Sequence, residues 1–441
     1  MASRLLLSFY GDDFTGSTDA LEALTRAGLR TVLFTNPPSA EQLSAVEGLQ
    51  AFGIAGRSRS FSPKEMQEQL VPALAALRDS GAPIAHYKIC STFDSSPDQG
   101  SIGKAIEVGR DIFGTRSVPV VGGAPSLGRY CVFGNLFAAC GTDRQVHRLD
   151  RHPSMRNHPT TPMDEADLRL HLSRQTSLGS ALVDIRTIED GPDDAIEQYR
   201  ALAREGVPII LLDLLNMRQL ATIGAILTSA GADGNMPVFV VGPSSVEEAL
   251  CAHWRDTGLI TGEAAFPTLE PAEPMLVVSG SCSPVTAQQI RTAVAAGFGE
   301  WIIDPHTSCC QAKSAGAACR IAAMLTSGRS VIVHTNPAAN AGSLDRDAQR
   351  RLGETLGWIA ESVLQRFRVR RMVVAGGDTS GQVAAALRIR SMEMLAPLVR
   401  GVPLCLAHAP DSPADGLQIA FKGGQIGPPD FFVRVQRGAV A

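Results

Sequence analysis

The sequence predicts an α/β protein of two domains, each built on a mostly parallel sheet flanked by helices. At 441 residues the chain is too long for one ordinary core. Short apolar runs alternate with segments of helical period along nearly all of it. Residues 256–274, rich in Pro and Gly, interrupt this alternation. We therefore expect a first domain over residues 1–255, a linker over 256–274 and a second domain over 275–441.

The first strand–helix–strand unit sets the pattern. The apolar run Leu5–Phe9 predicts a strand, and apolar residues at helical spacing follow a polar turn. Asp19 stands in a capping position, with Glu22 three residues later, so we expect the helix to begin there. Gly28 stands where that helix would end, and Thr31–Phe34 predicts the second strand.

Further strands are predicted by the same alternation in both domains. In the first domain they cover residues 52–55, 83–89, 118–121, 181–185, 208–212 and 237–241. In the second they cover residues 275–278, 301–303, 331–334, 372–375 and 403–406. Strands that alternate with helices favour parallel sheets covered on both faces.

Composition excludes several classes of protein. The apolar share of 44% and charged share of 19% are typical of a globular chain, and a net charge of −4 gives no basic field for nucleic acid. No stretch approaches the roughly 20 apolar residues of a membrane span, and the N-terminus does not resemble a signal peptide. Nine Cys without a C-x-x-C pair favour neither disulfides nor structural zinc. We expect a cytoplasmic protein with no nucleic-acid or membrane partner.

Polar turns follow several predicted strands, at the sheet edge where α/β proteins bind ligands. The first turn contains Asp12 and Asp13. Adjacent carboxylates beside a buried strand repel each other unless a hydroxyl, a cation or a metal accompanies them. We interpret them as ligands of substrate hydroxyls, and either one as a candidate base. An Asx-turn with a helix cap is the alternative, and it accounts for Asp13 or Asp19 but hardly for all three.

Two later turns suit phosphate. In Ser279–Pro284, Ser283 as cap and Pro284 as first helical residue form an ordinary helix start, and the small residues also leave N–H groups open to phosphate. Gly376–Gly381 holds three Gly and two hydroxyls before a helix expected from about Gln382, a backbone nest suited to polyphosphate. A tight turn that needs positive φ is the alternative for this second turn.

Two further features have competing interpretations. In Lys422–Gly427, the Lys could neutralise phosphate charge, or the segment could be an exposed hairpin turn. A His-rich stretch, comprising His147, His152, His158 and His171, has no common metal-site spacing, so we predict no protein metal site there. The P-loop and Rossmann fingerprints are both absent from the sequence.

The turns DDFTG, SGSCS, GGDTSG and KGGQIG occur in this order, and with them the chain resembles the four-carbon acid sugar kinases over essentially its whole length. The resemblance implies a sugar-acid-binding N-terminal domain, an ATP-binding C-terminal domain and an active site in the cleft between them. It implies ATP and Mg²⁺ as cofactors. The expected partners are a sugar acid and ATP, and a homodimer stays open.

Site residues follow from the same resemblance, position by position. For the sugar acid they are Asp12, Asp13, Arg59, Lys88, Ser91, Thr92 and Arg129, with Asp12 and Asp13 also the catalytic candidates. For the nucleotide they are Ser279, Gly280, Ser281, Gly376, Gly377, Asp378, Thr379 and Gly423. Arg59 is the candidate for the acid's carboxylate, Asp378 for Mg²⁺ or a ribose hydroxyl, and a solvated side chain is the alternative for Arg129.

One motif departs from the family. Its pattern reads roughly K-x-D-S-T-L-R-G-N-x-G, whereas here Cys90 replaces the Asp and Phe-Asp-Ser-Ser replaces the Arg-Gly pair. Loss of an Arg and gain of Asp94 should change how the substrate is held. This favours a divergent branch of the family, and the 3-oxo-isoapionate kinases are one such branch. Threonate, erythronate, 3-oxo-tetronate and 3-oxo-isoapionate all stay open as the acid. A non-catalytic sugar-acid sensor and a periplasmic-type binding protein are the alternatives from other classes.

Overall fold

Two compact units make up the chain. The computed structural model describes residues 4–141, 144–158, 160–231, 236–304, 311–335 and 346–439, without the side chains of residues 311–314, 346, 347 and 378. The N-terminal unit comprises Met1–Asp12, Ala23–Thr31 and Asn36–Ala264. The C-terminal unit comprises Asp13–Glu22, Val32–Thr35 and Ala265–Ala441. Two short segments from within the range predicted for the first domain thus group with the C-terminal unit.

Eighteen strands and fourteen α-helices lie in the described residues. The strands β1 to β18 are Leu7–Gly11, Thr31–Phe34, Ala51–Ala55, Ile84–Lys88, Val118–Val121, Arg129–Val132, Asn135–Cys140, Gln145–Arg148, Ser180–Val183, Ile209–Leu212, Val238–Gly242, Leu276–Ser279, Gly299–Ile303, Val331–Thr335, Arg371–Ala375, Ser391–Val399, Val402–His408 and Gln418–Lys422. The helices α1 to α14 are Phe14–Arg26, Ala40–Ser44, Pro63–Asp79, Ile102–Phe113, Leu168–Ser173, Ile185–Asp190, Pro192–Arg204, Leu220–Ser229, Ser245–Asp256, Pro284–Ala295, Gln311–Thr326, Arg346–Arg366, Gly377–Ala386 and Phe431–Arg437. None of the described helices is long and apolar enough to cross a membrane.

The N-terminal unit is built on a parallel sheet in the order β3-β1-β4-β11-β5-β10-β9. Its central strands are buried along their whole length, as expected when helices cover both faces. The last residues of four neighbouring strands stand in one row, namely Ala55, Gly11, Lys88 and Gly242. The segments that follow these residues therefore leave the sheet at the same edge.

A small antiparallel sheet of β6, β7 and β8 also belongs to this unit, and the sequence did not predict it. Its first turn is tied to Asp213, whose carboxylate accepts hydrogen bonds from the N–H groups of Phe133 (2.6 Å) and Gly134 (2.9 Å). Ile185 N donates to the same carboxylate at 3.1 Å. Burial raises the pKa of Asp213 in spite of these bonds. The strands of this sheet are neighbours in sequence, but its first turn is held by Asp213, 80 positions from Phe133, and periodicity does not show such a contact.

The C-terminal unit has a mixed sheet in the order β13-β14-β12-β15-β18-β17-β16-β2. The first five strands are parallel, and β17, β16 and β2 extend the sheet in antiparallel fashion. The prediction of a mostly parallel sheet is thus confirmed, with an antiparallel edge that was not foreseen. His334, Ser279, Ala375 and Lys422 stand in one row at the ends of parallel strands. The turns that follow β12, β15 and β18 therefore meet at one edge.

Three residues from early in the chain contribute contacts to this unit. The ring of Phe14 lies 4.7 Å from that of Phe421, edge to face. Leu33 of β2 pairs with Met392 of β16. Glu22 Oε2 also accepts a 2.8 Å hydrogen bond from Gly401 N. The early segments therefore supply side chains and backbone pairing to the C-terminal core.

Two predicted helix starts were wrong. α1 begins at Phe14, because Asp13 caps it: Asp13 Oδ1 accepts a 2.8 Å hydrogen bond from Gly16 N in the first turn of the helix. Asp19 therefore lies inside the helix and does not cap it. α13 begins at Gly377 and not near Gln382. The predicted start at Ser283 and Pro284 of α10 is confirmed, with Ser283 Oγ accepting from Val285 N at 3.2 Å.

Candidate functional site

Asp12 and Arg59 form a paired charge at the strand-end edge of the N-terminal unit. The Asp12 carboxylate accepts from Arg59 Nε at 3.0 Å and from Nη2 at 2.6 Å, while Arg59 N donates to Asp12 O at 2.9 Å. Asp12 is 3% exposed. Such two-pronged, charge-assisted bonds are strong and geometrically specific. The predicted carboxylate ligand Arg59 is thus already held in place by a neighbouring predicted site residue.

Lys88 and the segment after it start from the same edge. The Lys88 side chain is 3% exposed and Thr92 is buried, whereas Ser91 is partly exposed. Thr92 Oγ1 donates to Asp94 Oδ1 at 2.7 Å and lies 3.0 Å from Cys90 Sγ. Burial, together with the Asp94 charge, raises the pKa of the Cys90 thiol to about 11. Cys90 is therefore a neutral thiol near pH 7 and not a nucleophile.

Arg129 follows the turn after β5 in the N-terminal unit. It begins β6 of the small sheet, and its Nη1 donates to Leu127 O. The pKa of His152 is lowered mainly by burial and, to a smaller extent, by the charge of Arg129. The described hydrogen bond of the Arg129 side chain is therefore to the turn that precedes β6, and none among the described residues joins it to Asp12 or Arg59.

The three predicted nucleotide turns pack against one another within the C-terminal unit. A Cβ atom added to Gly280 would lie 2.2 Å from Thr379 Oγ1, and one added to Gly424 would lie 2.6 Å from Ser281 Oγ. A Cβ atom at Gly376 would lie 3.4 Å from Ser281 N. Side chains at these glycines would therefore push the turns apart. Gly423 connects the last turn to Lys422, and Ser279 is wholly buried at the end of β12.

The N-terminus of α13 lies in this group of turns. Gly376 has φ +119°, a conformation that favours glycine, and no side chain caps the helix. Gly377 does not have positive φ, and a Cβ atom there would meet nothing closer than Asp13 Oδ2 at 3.7 Å. Neither backbone conformation nor packing requires a glycine at 377, so the positive-φ interpretation accounts only for Gly376. N–H groups of a first helical turn lack intrahelical partners and favour anions.

Asp13 caps α1 from within the C-terminal unit. Its Oδ2 accepts from Thr15 Oγ1 at 2.7 Å, and its Oδ1 accepts from Gly16 N. The two adjacent carboxylates therefore have separate partners, Arg59 for Asp12 and the first turn of α1 for Asp13. The capping interpretation accounts for the local bonds of Asp13, and its position near Gly377 places it beside the turns. The side chain of Asp378 lies outside the described part of the structure.

Lys422 has a buried amine behind the same turns. Its Nζ donates to Thr286 Oγ1 at 3.1 Å, Gly423 O at 2.9 Å and Gly424 O at 3.4 Å, and the residue is 0% exposed. These acceptors are all uncharged, and burial lowers the pKa of Lys422 to about 7. The segment after Lys422 is not a hairpin turn, because β18 pairs in parallel with β15 and α14 follows it. The sequence allows a phosphate role for Lys422 as one interpretation, but Lys422 is not among the predicted nucleotide contacts.

Three histidines of the His-rich stretch, His152, His158 and His171, have hydrogen-bond roles in the structure. His152 Nδ1 accepts from Ser154 N at 3.2 Å, and His158 Nδ1 accepts from Thr161 N at 3.1 Å. His171 contacts Ser95. Within the described ranges no three potential ligand side chains cluster in a way that could hold a metal ion.

Comparisons with known proteins match both halves of the chain. The family described as the sugar-binding N-terminal domain matches residues 7–250, and the family described as the nucleotide-binding C-terminal domain matches residues 276–432. A 3-oxo-isoapionate kinase of Paraburkholderia graminis is 44% identical, with 99% of this chain and 95% of that protein covered. A 3-oxo-tetronate kinase of Pseudomonas fluorescens is 31% identical, with 97% of this chain and 96% of that protein covered.

Solved structures agree with this fold over the whole chain. A crystal structure from Salmonella typhimurium has a TM-score of 0.79 at 26% identity and covers 98% of both chains. One from Haemophilus influenzae has a TM-score of 0.70 at 24% identity, with 97% of this chain and 99% of that chain covered, and supports the fold alone. The kinase relatives give no support to a non-catalytic sensor. The chain belongs to the four-carbon acid sugar kinase family and is an ATP-dependent kinase of a small sugar acid.

Proposed function

We propose that this kinase transfers the γ-phosphoryl group of Mg–ATP to a hydroxyl of 3-oxo-isoapionate. The observation that carries the choice of acid is the rewritten segment that starts at Cys90, in which the charges of Asp94 and Arg59 both act on the Cys90 thiol. The 44% identity to a 3-oxo-isoapionate kinase supports it, against about 31% or less for the 3-oxo-tetronate kinases. 3-Oxo-tetronate is therefore the comparison substrate.

The sugar acid would bind at the strand-end edge of the N-terminal unit. Arg59 and Lys88 supply positive charge for its carboxylate, and Asp12 orients Arg59 through their paired bonds. Ser91 and Thr92 add hydroxyl groups. Orientation of this kind converts binding energy into reactive geometry.

The nucleotide would bind at the turns of the C-terminal unit. The first turn of α13 offers N–H groups to phosphate, and the Lys422 amine, whose partners are neutral, stands behind the turns and would be charged when phosphate binds. Of the described carboxylates, Asp13 fits Mg²⁺ as an oxygen ligand, because its Oδ2 is the closest atom to a side-chain position at Gly377. The ion supplies neutralisation of the phosphate charge. Asp378 stays a candidate for the same role.

The proposed reaction needs little help from a general base. Phosphoryl transfer passes through a loose transition state, so positioning and charge neutralisation carry most of the catalysis. Asp12 is held by Arg59, and Asp13 is held by Thr15 and Gly16. Either carboxylate would have to exchange a partner before it could accept the substrate proton. Asp12 and Asp13 therefore stay catalytic candidates, with positioning of the groups that they contact as their main contribution and proton acceptance as the lesser one. A cytoplasmic location and a homodimer likewise stay expectations.

Substrate choice is tested by an ATP-coupled assay with 3-oxo-isoapionate, 3-oxo-tetronate, threonate and erythronate. We expect kcat/KM for 3-oxo-isoapionate to exceed that of each other acid at least about tenfold, since one added polar contact distinguishes substrates on that scale. Equal values, or a preference for 3-oxo-tetronate, would show the substrate assignment to be wrong.

The nucleotide site is tested by Gly377→Ala. A Cβ atom at 377 meets no protein atom closer than 3.7 Å, so we expect the melting temperature to stay unchanged. The added methyl group would occupy the place of phosphate, and we expect KM for ATP to rise about tenfold or more with KM for the acid unchanged. Gly316→Ala is the control, because Gly316 lies in α11 with no atom within 4 Å of an added Cβ. An unchanged KM for ATP in Gly377→Ala would refute this placement.

A further inference from the structure

The segment between Cys90 and Gly103 is fastened at one end to the backbone of Arg59. Gly100 N donates to Phe61 O at 2.9 Å. Gly100 has φ +60°, and a Cβ atom there would lie 2.6 Å from Arg59 O. Only glycine allows this approach, so the segment and the Arg59 backbone hold each other in position.

A buried polar cluster fastens the middle of the segment. Ser95 Oγ lies 2.8 Å from His171 Nε2, and Gln175 Nε2 donates to both atoms at 2.9 Å. Ser95 Oγ also donates to Phe93 O at 2.9 Å, and Gln175 Oε1 accepts from Gly103 N at 3.2 Å. Burial lowers the pKa of His171 to about 4, so the ring is neutral near pH 7. Ser95 is 2% exposed, which leaves its hydroxyl no access to a substrate.

Asp94 projects from this fastened segment. Phe93, wholly buried at φ +56°, turns the backbone so that Asp94 is partly exposed. Its Oδ1 accepts from Thr92 Oγ1, whereas Oδ2 has no hydrogen-bond partner among the residues that the structure describes. The charges of Asp94 and Arg59 both act on the Cys90 thiol, so the two groups share one neighbourhood. An acceptor in this position suits a hydroxyl donor and repels a second carboxylate.

We propose that Asp94 determines specificity by accepting a hydrogen bond from a hydroxyl of the sugar acid, and that His171 and Gln175 position it through Ser95. This inference rests on the proposed function for the identity of the acid. Asp94 repels carboxylates, so the carboxylate of a bound acid lies toward Arg59 and Lys88 and a hydroxyl lies toward Asp94. The acids then differ in affinity according to whether they carry a hydroxyl at that end.

Asp94→Ala tests the specificity role. We expect the ratio of kcat/KM for 3-oxo-isoapionate to that for 3-oxo-tetronate to change about 10- to 100-fold, the range for a hydrogen bond to a charged group. KM for ATP should stay the same. Asp98→Ala is the matched control, because Asp98 is an exposed carboxylate on the same segment. A ratio that moves no further in Asp94→Ala than in Asp98→Ala overturns the assignment.

Gln175→Leu tests the positioning role. It should change the ratio of kcat/KM for the two acids in the same direction as Asp94→Ala does. The double variant should change that ratio little further, because both substitutions act on one contact. Equal losses for both acids, additive with Asp94→Ala, would show a merely structural role and overturn this part.

Calorimetric binding of the two acids without ATP separates this inference from the proposed function. If the wild-type protein phosphorylates neither acid, the proposed function fails, while the ratio of their Kd values in wild type and Asp94→Ala still decides the inference. Wild-type protein that binds neither acid overturns both.

Discussion

Lys422→Met should abolish a proton uptake that accompanies nucleotide binding. In the free protein Lys422 is buried among neutral acceptors, and its pKa is lowered to about 7. At pH 8 only about one tenth of the molecules then carry the proton. Phosphate groups nearby favour the charged form and raise this pKa again. Binding at pH 8 should therefore take up as much as about 0.9 proton per nucleotide.

Titration calorimetry with a non-hydrolysable Mg–ATP analogue measures this uptake. The observed enthalpy is plotted against the ionisation enthalpy of several buffers at pH 8, and the slope gives the protons bound. We expect a slope well above zero for the wild type and near zero for Lys422→Met, with affinity about 10- to 100-fold weaker. Lys64→Met, on the exposed face of α3, is the control. Equal slopes in wild type and Lys422→Met would refute the placement of phosphate beside Lys422.

Two other predictions concern accessibility and stability. Cys282 is exposed in the turn before α10, so Mg–ATP should slow its alkylation several-fold, as measured by peptide-level mass spectrometry. Exposed Cys319 on α11 should react at an unchanged rate, and equal protection of both thiols would contradict the proposed nucleotide site. Arg371 is wholly buried and donates to Val435 O at 2.6 Å and Glu270 O at 3.0 Å, so Arg371→Met should cost about 2–5 kcal/mol and lower the melting temperature by several degrees. Exposed Arg291→Met should leave the melting temperature unchanged, and an equal loss in both variants would refute this account.

Local sequence patterns predicted much of the fold because the central strands are short, continuous apolar runs. Val118–Val121 is a strand with the predicted bounds, and the start of α10 was predicted from Ser283 and Pro284, because cap and first turn are adjacent in sequence. The start of α13 at Gly377 was missed, since its first turn consists of poor helix formers that local propensity assigns to a loop. Tertiary contacts around Gly280 and Gly424 override that propensity.

Residue pairs distant in sequence mark the limit of such predictions. Asp12 and Arg59 were each predicted as ligands, but nothing in the sequence indicates that they bind each other across 47 positions. The contact of Ser95 with His171 spans 76 positions and carries no motif at all. The departure from the family pattern at Cys90 was the one available signal that this segment differs, and it did not indicate what holds Asp94 in place.

The C-terminal unit is discontinuous in sequence, and this limits how its coding sequence can be recombined. A gene fragment that encodes only residues 265–441 would lack Phe14, which covers Phe421, and the β2 backbone that pairs with β16. An uncovered aromatic ring and an open strand edge are sites of aggregation. We therefore expect the nucleotide-binding half to fold after exchange between genes only when the coding sequence for residues 13–35 moves with that for residues 265–441.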